Sequence, residues 1–184
     1  MKKIIVAAFA LVAIAFAPKA FSQTKNPMVG GAAMYATKNI VENAVNSKDH
    51  TTLVAAVKAA GLVETLVSAG PFTVFAPTNA AFDKLPAGTV GNLVKPENKA
   101  TLTKILTYHV LAGKFSAAAI KVAIKKGKGT ATFTTVSGGK LKASLDGKRV
   151  KLTDENGGTA YVTIADVNQS NGVIHVIDSV VTPK

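Results

Sequence analysis

The stretch that most constrains the fold of this chain runs from Phe72 to Leu85 and reads Phe-Thr-Val-Phe-Ala-Pro-Thr-Asn-Ala-Ala-Phe-Asp-Lys-Leu. Its first five residues are apolar or β-forming with little alternation, which is typical of a strand that is covered on both faces. Pro77 ends this strand, and Thr78 is a good N-cap for a short helix whose apolar residues share one face. The sequence therefore predicts a buried strand that passes directly into a capped helix.

A second stretch that is apolar on both faces, Gly172–Pro183, lies at the far end of the chain. Two strands of this kind are most easily buried beside each other, so we expect them to pair. Together with the segment Tyr108–Leu111 between them, which reads Tyr-His-Val-Leu, these stretches resemble the signature segments of the fasciclin-like domain family. The resemblance covers residues 39–183 and implies a fasciclin-like fold, with N-terminal helices packed on a largely antiparallel β-sheet.

The periodicity of the remaining chain also favours an α+β domain. Helical patterns come first, and they include a helix that begins near Pro96 and one over Ala117–Lys126 that is capped by Ser116. Asp146-Gly147 between two alternating runs is a strong hairpin signal. Helices first and strands later, joined by short turns, predict a largely antiparallel sheet. The five predicted β-runs are Ala131–Val136, Lys140–Leu145, Lys148–Thr153, Thr159–Val167 and Val173–Val181.

Residues 1–22 have the pattern of a secretory signal peptide. Two lysines precede the apolar run Ile4–Ala17, and Ala20 and Ser22 are small residues at the −3 and −1 positions of a signal-peptidase site. The run is shorter than the about 20 residues that a membrane span requires, so we favour removal over a retained anchor. No later apolar run reaches membrane length. The expected location is therefore extracytoplasmic, either periplasmic or secreted.

The composition of the rest of the chain restricts its chemistry. We predict a flexible lead-in over residues 23–38 and one domain over residues 39–184. The absence of cysteine excludes disulfides, thiolate metal sites, thiol nucleophiles and a lipidated N-terminal cysteine. Loss of residues 1–22 removes three lysines and no acid, so the net charge falls from +12 to +9. A protein of this charge favours anionic partners, although solubility alone would also account for it.

The three histidines, His50, His109 and His175, do not have the spacing of a catalytic or metal site. His175 and Asp178 are three residues apart in a predicted strand and project to opposite faces. Neither a nucleophile elbow nor a zinc-binding helix motif is present. His109 continues the apolar stripe of the preceding helix, so we expect His109 and His175 in the core with bonded ring nitrogens. We expect His50 to be solvated, and we predict no catalytic residues, no metal and no cofactor.

Two further polar motifs do not by themselves indicate a binding site. Thr78 and Asn79 directly follow the buried strand, where helix capping accounts for them better than a polar binding site does. Asn168-Gln169-Ser170 matches the N-glycosylation sequon in a predicted loop, which matters only in a host that glycosylates.

The most informative surface signal is the segment from Lys114 to Lys151, in which ten cationic residues stand against the single acid Asp146. Three of its lysines recur at i, i+4 and i+7 and form a stripe on the helix opposite Ile120 and Ile124. If this stripe and the basic hairpin face the same way, they form an anion-binding patch; otherwise the charges are an ordinary solvated surface. The candidate patch consists of Lys121, Lys125, Lys128, Lys148, Arg149 and Lys151.

The resemblance also implies a function. Fasciclin-like domains occur in extracellular and cell-surface proteins and are associated with adhesion and partner binding rather than catalysis, so this chain resembles a secreted, single-domain bacterial member. In animal members the Tyr-His region is linked to integrin recognition, which carries over only to Tyr108 and His109. We expect a cell-surface or matrix protein or an anionic glycan as the partner, with peripheral contact to an anionic envelope surface.

The sequence disfavours one class of partner and leaves one main alternative function open. Nucleic acid is disfavoured as a partner because aromatic residues for base stacking are few. The main alternative to adhesion is a periplasmic or secreted carrier of a small apolar ligand, which requires an open apolar pocket of about 300 Å³ or more.

Overall fold

The computed structural model describes residues 26–184, so the predicted signal peptide over 1–22 lies outside the described residues. The helices are α1 (Ile40–Ala44), α2 (Thr51–Ala60), α3 (Val63–Val67), α4 (Asn79–Phe82), α5 (Thr89–Leu93), α6 (Lys99–Tyr108) and α7 (Ala117–Lys126). The strands are β1 (Met28–Val29), β2 (Ala32–Ala33), β3 (Phe72–Pro77), β4 (Val110–Ala112), β5 (Thr130–Thr134), β6 (Lys140–Asp146), β7 (Arg149–Thr153), β8 (Thr159–Gln169) and β9 (Gly172–Ile177). Short 3-10 turns over Lys48–His50 and Pro96–Asn98 precede α2 and α6.

Strands β3 to β9 form a seven-stranded sheet in the order β4-β3-β9-β8-β7-β6-β5. The neighbouring strands in this sheet are antiparallel except for β3 and β9, which run parallel with Phe75 opposite His175. The predicted pairing of the two buried stretches is therefore confirmed. So is the α+β class with a largely antiparallel sheet.

The β3–β9 pair separates two hydrophobic cores. Val74 and Ala76 of β3 point into one core together with α1, α2, α3 and α6, which we call the helical core. Phe75, which points the other way, lies in a second core with α7 and the strands β6 to β8, which we call the sheet core. Both faces of β3 are covered because successive side chains of a strand alternate between them.

The local signals at the start of α4 and α7 act as predicted. The Thr78 hydroxyl oxygen accepts a hydrogen bond from the amide of Ala81 at 3.2 Å, and Ser116 caps α7 through the amide of Ala119, also at 3.2 Å. The β6–β7 hairpin turns at Gly147-Lys148, with Asp146 paired to Arg149. Gly147 has a φ of +59°, a left-handed conformation that glycine adopts without strain.

The N-terminal part of the described chain differs from the expected lead-in. β1 and β2 pair as a short antiparallel hairpin, and Val29 and Met34 are buried in the helical core. Packed structure thus begins before Asn39, because the side chains of Val29 and Met34 are buried in the helical core. Gly70, which follows α3, lies against the backbone of Asn171, where a Cβ atom would come within 2.1 Å of the Asn171 carbonyl oxygen.

Two histidines are built into the cores with both ring nitrogens bonded. His109 Nδ1 donates to the Ile105 carbonyl at 2.8 Å, and its Nε2 accepts from the Val181 amide at 3.2 Å. His175 Nε2 donates to the Phe115 carbonyl at 2.8 Å, and its Nδ1 accepts from the Asp166 amide at 3.2 Å. Each ring therefore joins two segments that are distant in sequence.

The prediction that His50 is solvated is wrong. His50 is only 3% exposed and packs in the helical half of the molecule, although its sequence neighbours are polar. Its Nδ1 lies 2.8 Å from the Ser47 hydroxyl, and within residues 26–184 its Nε2 has no hydrogen-bond partner. The 3-10 turn over Lys48–His50 rotates the ring inward while the side chains of Lys48 and Asp49 stay in solvent.

The Asn79 side chain caps helix α2 rather than α4, the helix in which Asn79 lies. Its side-chain oxygen accepts from the Thr52 amide at 3.0 Å and from the Thr51 hydroxyl at 3.2 Å, while its amide group donates to the Lys48 carbonyl at 2.9 Å. The side chain therefore satisfies the first turn of α2, which has no cap from the residue that precedes it. The sequence predicts a capping role for Asn79, but it does not predict that the capped helix is α2.

Replacement of Asn79 by Ala should lower the free energy of unfolding by about 1–2 kcal/mol, because the first turn of α2 loses its acceptor. Urea denaturation of wild type and variant measures this difference. Asn79→Asp is the matched control, since it keeps the acceptor and should lose less. An Asn79→Ala variant within about 0.3 kcal/mol of wild type would show that water replaces the cap.

Mild acid should destabilise the protein through its buried histidines. Burial lowers the pKa of His109 from 6.5 to about 4, and it also lowers the pKa of His175 and of His50. In the unfolded chain these rings bind protons near pH 6.5, so between there and about pH 4 the unfolded state holds more protons. The free energy of unfolding therefore falls as the pH falls, with a loss of about 3 kcal/mol from His109 alone by pH 4.

Urea denaturation at several pH values between 7.5 and 4.5 measures this loss. His109→Gln, which does not titrate, should be less stable at pH 7.5 but should show a shallower dependence on pH. Constant stability of the wild type between pH 7 and 5 would rule out a role for the histidines in acid sensitivity.

Candidate functional site

The strands β5 to β8 present one face to α7 and the other face to solvent. Val150 and Leu152 of β7 are buried in the sheet core with Ile120 of α7. Because successive residues of a strand point to opposite faces, Arg149 and Lys151 lie on the solvent side. The strand register places further cations and hydroxyls on that side. We call this surface the outer sheet face; it is centred on Thr132, Lys140, Lys142, Arg149, Lys151, Thr153 and Tyr161.

Register fixes the spacing of the cations on the outer sheet face. Lys142 is directly opposite Thr153, and Thr153 is two residues from Lys151 on the same strand. Lys142 and Lys151 are therefore diagonal neighbours, with Cα atoms about 7–8 Å apart. Lys151 is in turn opposite Tyr161 on β8. The face thus carries separated cations with hydroxyl groups between them on a regular lattice.

The acid and the aromatic ring on this face are engaged with each other. Tyr161 donates its hydroxyl proton to the Asp146 carboxylate at 2.8 Å, and this bond raises the pKa of Tyr161. The Arg149 guanidinium lies over the Tyr161 ring, 4.4 Å from its centroid, in a cation–π contact. The tyrosine therefore stays protonated at neutral pH and holds the arginine at a defined place beside the lysines.

The predicted basic patch does not form as a single surface. Ile120 and Ile124 of α7 pack on the inner face of the sheet, so the exposed side chains of Lys125 and Lys128 lie on the far side of the sheet from Arg149. Lys121, on the same helix, is half-buried, and Lys148 lies in the β6–β7 turn at one edge. The condition that stripe and hairpin face the same way is not met.

Two cations that the patch prediction left out belong to the outer sheet face. Lys140 and Lys142 alternate with the buried Leu141 and Ala143 along β6, which places both lysines on the same side as Lys151. The alternation is visible in the sequence. It could have added these lysines to the hairpin cations, but it could not show on which face α7 packs.

The Tyr-His motif lies inside the protein. Tyr108 is fully buried, donates its hydroxyl proton to the Lys140 carbonyl at 2.7 Å, and has its pKa raised to about 12, chiefly by burial. His109 is buried beside it with both nitrogens bonded to backbone. Neither side chain is available to a partner in this conformation. Tyr108 instead links the end of α6 to the start of β6, the strand that carries Lys140 and Lys142.

The remaining candidate residues do not converge. Asp178 accepts a hydrogen bond from the Tyr161 amide at 2.8 Å, whereas His175 is bonded to Phe115 and Asp166 on other elements. Thr78 caps α4. Within residues 26–184, no group of histidine and acidic side chains is arranged to hold a metal ion. In the same range no helix has the length and apolarity needed to span a membrane.

A cavity of about 110 Å³ lies in the helical core. Helices α1, α2, α3 and α6 and strands β3 and β9 contribute to its wall, and most of the wall side chains are aliphatic. His50 and Ser47 are part of the wall. This helical-core cavity is on the opposite side of the β3–β9 pair from the sheet core.

Comparison with known proteins places the chain in a family. The family model described as Fasciclin domain matches residues 48–183. Protein sll1483 of Synechocystis sp. is 48% identical over 159 residues, which cover 86% of this chain and 81% of that protein. The cell surface glycolipoprotein MPB83 of Mycobacterium bovis is 41% identical over 122 residues, which cover 66% of this chain and 48% of that protein.

Among solved structures, the fold is similar to the FAS1 domain pair from the insect cell adhesion molecule Fasciclin I. The TM-score is 0.67 at 18% sequence identity, and the match covers 77% of this chain and 50% of that chain. At this identity the likeness concerns the fold alone, and it agrees with the family match across most of the chain. The chain belongs to the fasciclin domain family.

Proposed function

We propose that this chain is a non-enzymatic, extracytoplasmic adhesion module that holds an anionic cell-surface or matrix component, preferentially an acidic glycan, on its outer sheet face. The observation that carries the proposal is the lattice of Lys140, Lys142, Arg149 and Lys151 on one exposed face of the sheet. Asp146, the acid opposite Arg149 in the strand register, is bonded to Tyr161.

The physical chemistry of this face suits a repeating anion. Each lysine held at an anionic surface contributes about 1 kcal/mol, so several together give real but salt-sensitive attachment. Arg149 offers a planar fork that matches a carboxylate or sulfate. Thr132 and Thr153 flank Lys142 across the strands and supply hydroxyls for sugar oxygens. A sheet presents all these groups without ordering a loop first.

The comparisons and the sequence support the proposed location and role. One relative is named a cell surface glycolipoprotein, and the structural neighbour comes from a cell adhesion molecule. The predicted signal peptide over 1–22 agrees with a position outside the cytoplasm. Catalysis by His109 or His175 would require an exposed ring near a carboxylate or hydroxyl, whereas both rings are buried and bonded to backbone.

A second candidate function is carriage of a small apolar molecule, which the helical-core cavity favours. Its volume of about 110 Å³ is well below the about 300 Å³ that ordinary ligand pockets reach. The cavity therefore does not suit a large lipid or cofactor. We place this function second.

The double variant Lys142→Ala/Lys151→Ala should elute from an immobilised acidic polysaccharide at clearly lower salt than the wild type. Both side chains are on the outer sheet face, where Lys142 is exposed and Lys151 is partly exposed, so the melting temperature should change little. Retention of the wild type should vanish near 0.5 M salt, where the Debye length is only a few ångströms (about 4 Å).

The matched control is Lys121→Ala/Lys125→Ala, which removes the same charge from α7 on the other side of the sheet. It should elute close to the wild type. Equal shifts in the two double variants would mean that net charge alone determines retention. Absence of retention at low salt would leave solubility as the role of the lysines.

A further inference from the structure

Strand β5 lies at one end of the seven-stranded sheet, with β4 at the other end. It pairs with β6 on one side, over Thr130–Thr134. In an antiparallel pair, successive residues direct their N–H and C=O groups alternately toward the partner strand and away from it. Within residues 26–184, no strand pairs with the second side of β5.

The hydrogen bonds at the two ends of β5 show which residues face that second side. Thr135 donates its amide proton across the turn to β6 at 2.9 Å, so the odd-numbered residues of the strand face β6. Thr130 donates to the turn that precedes β5 at 3.3 Å, and Val136 donates to β4 at 2.8 Å. The even-numbered residues therefore face away from β6. Thr132 and Thr134 lie between these two bonds and have the same orientation.

The outward N–H and C=O groups of Thr132 and Thr134, which we call the free edge of β5, make no hydrogen bond to any residue in the range 26–184. Both residues are exposed. The pairing of β5 with β6 has no bulge or shift of register that would twist this edge away. An unpaired edge of this kind is a template for one further strand.

Two lysines beside the free edge determine which strand suits it. Lys142 is opposite Thr132 in the strand register, and Lys140 is opposite Thr134. The Lys140 ammonium group extends over β5 and donates to the Thr134 hydroxyl at 2.6 Å. Glu155, which accepts a hydrogen bond from the Lys140 amide at 2.8 Å, is the acid at this end of β6. The lysines repel a second copy of this basic chain and attract an acidic strand.

The two faces of β5 differ, and this difference sets the pattern of the added strand. Thr132 and Thr134 are on the outer sheet face, whereas Ala131 is buried and Phe133 is half-buried. The Phe133 ring packs edge-on against Phe115, with 5.4 Å between the centroids. A strand paired with β5 places its side chains in the same two layers. Acidic side chains would then meet the lysines, and apolar side chains would extend the layer of Phe133.

We propose that the free edge of β5 binds an extended segment of a partner protein in which acidic and apolar residues alternate, and that this segment adds to the sheet as a further strand. Backbone hydrogen bonds give the affinity, and the lysines give the preference for acidic side chains. The free edge adjoins the outer sheet face, but it requires a polypeptide backbone, which a glycan lacks. Either proposal therefore stands if the other fails.

The probe is the peptide acetyl-Val-Glu-Val-Glu-Val-amide, and its matched control is the same peptide with N-methyl groups on the three central residues. The control keeps the charges but cannot donate to the free edge. In an NMR titration of the wild-type protein, the probe should shift the amide signals of Thr132 and Thr134 in a saturable way and slow their exchange with solvent. The N-methylated peptide should bind at least about tenfold more weakly, because the hydrogen-bond ladder does not form.

A pair of protein variants tests the same edge from the other side. Thr132→Pro removes one N–H at a position where an edge strand tolerates proline, so it should weaken binding of the probe by about fivefold. Thr132→Val keeps the N–H and should bind the probe as the wild type does. If Thr132→Pro does not fold, the comparison of the two peptides on the wild type decides the matter.

Two results would overturn the proposal. Equal affinity of the wild type for the probe and its N-methylated copy would show that charge alone holds the peptide, and so would unchanged solvent exchange of the Thr132 and Thr134 amides. Absence of saturable shifts with millimolar probe would show that the free edge does not accept a strand. A peptide with Lys in place of both Glu residues should bind more weakly than the probe, and equal binding would contradict the preference for acidic side chains.

Discussion

The parallel pair of β3 and β9 is the contact on which the rest of the structure depends. Every residue of β9 is buried and β3 is covered on both faces, so the pair forms the partition between the helical core and the sheet core. Parallel strands require a long crossover connection. Here the crossover contains α4 to α7 and β4 to β8, so most of the domain is the connection between these two strands.

Polar groups at this partition hold the two halves together. His175 stacks on Phe75 with ring centroids 5.7 Å apart and bonds to Phe115, just before α7. Asp166, whose amide donates to His175, accepts a hydrogen bond from the Ala117 amide at the start of α7 at 2.7 Å. The position of α7 over the sheet is thus set from the buried strand outward. His175 and Phe75, which belong to the signature segments, thus stabilise the packing between the two halves.

The sequence predicted those features whose signals are local. Hydroxyl caps and apolar spacing specify the α7 boundaries and the Ser116 and Thr78 caps, and one glycine specifies the β6–β7 turn. Each of these signals lies within a few residues of the feature that it specifies. The burial of His50 and the side of the sheet on which α7 packs depend on contacts between distant segments. No local pattern reports them, so the sequence left open whether the α7 stripe and the hairpin cations share a face.

The same partition assigns different physical properties to the two halves. In the sheet half, alternation along each strand puts apolar side chains under α7 and leaves cations such as Lys142 and Lys151 on the face toward solvent. In the helical half, the helices pack on β3 and β9, and their side chains leave a void with His50 in its wall. Since the cationic face depends on the register of β6 to β8 and the void depends on how the helices pack on β3 and β9, substitutions within one half can alter its surface while the β3–β9 pair preserves the other.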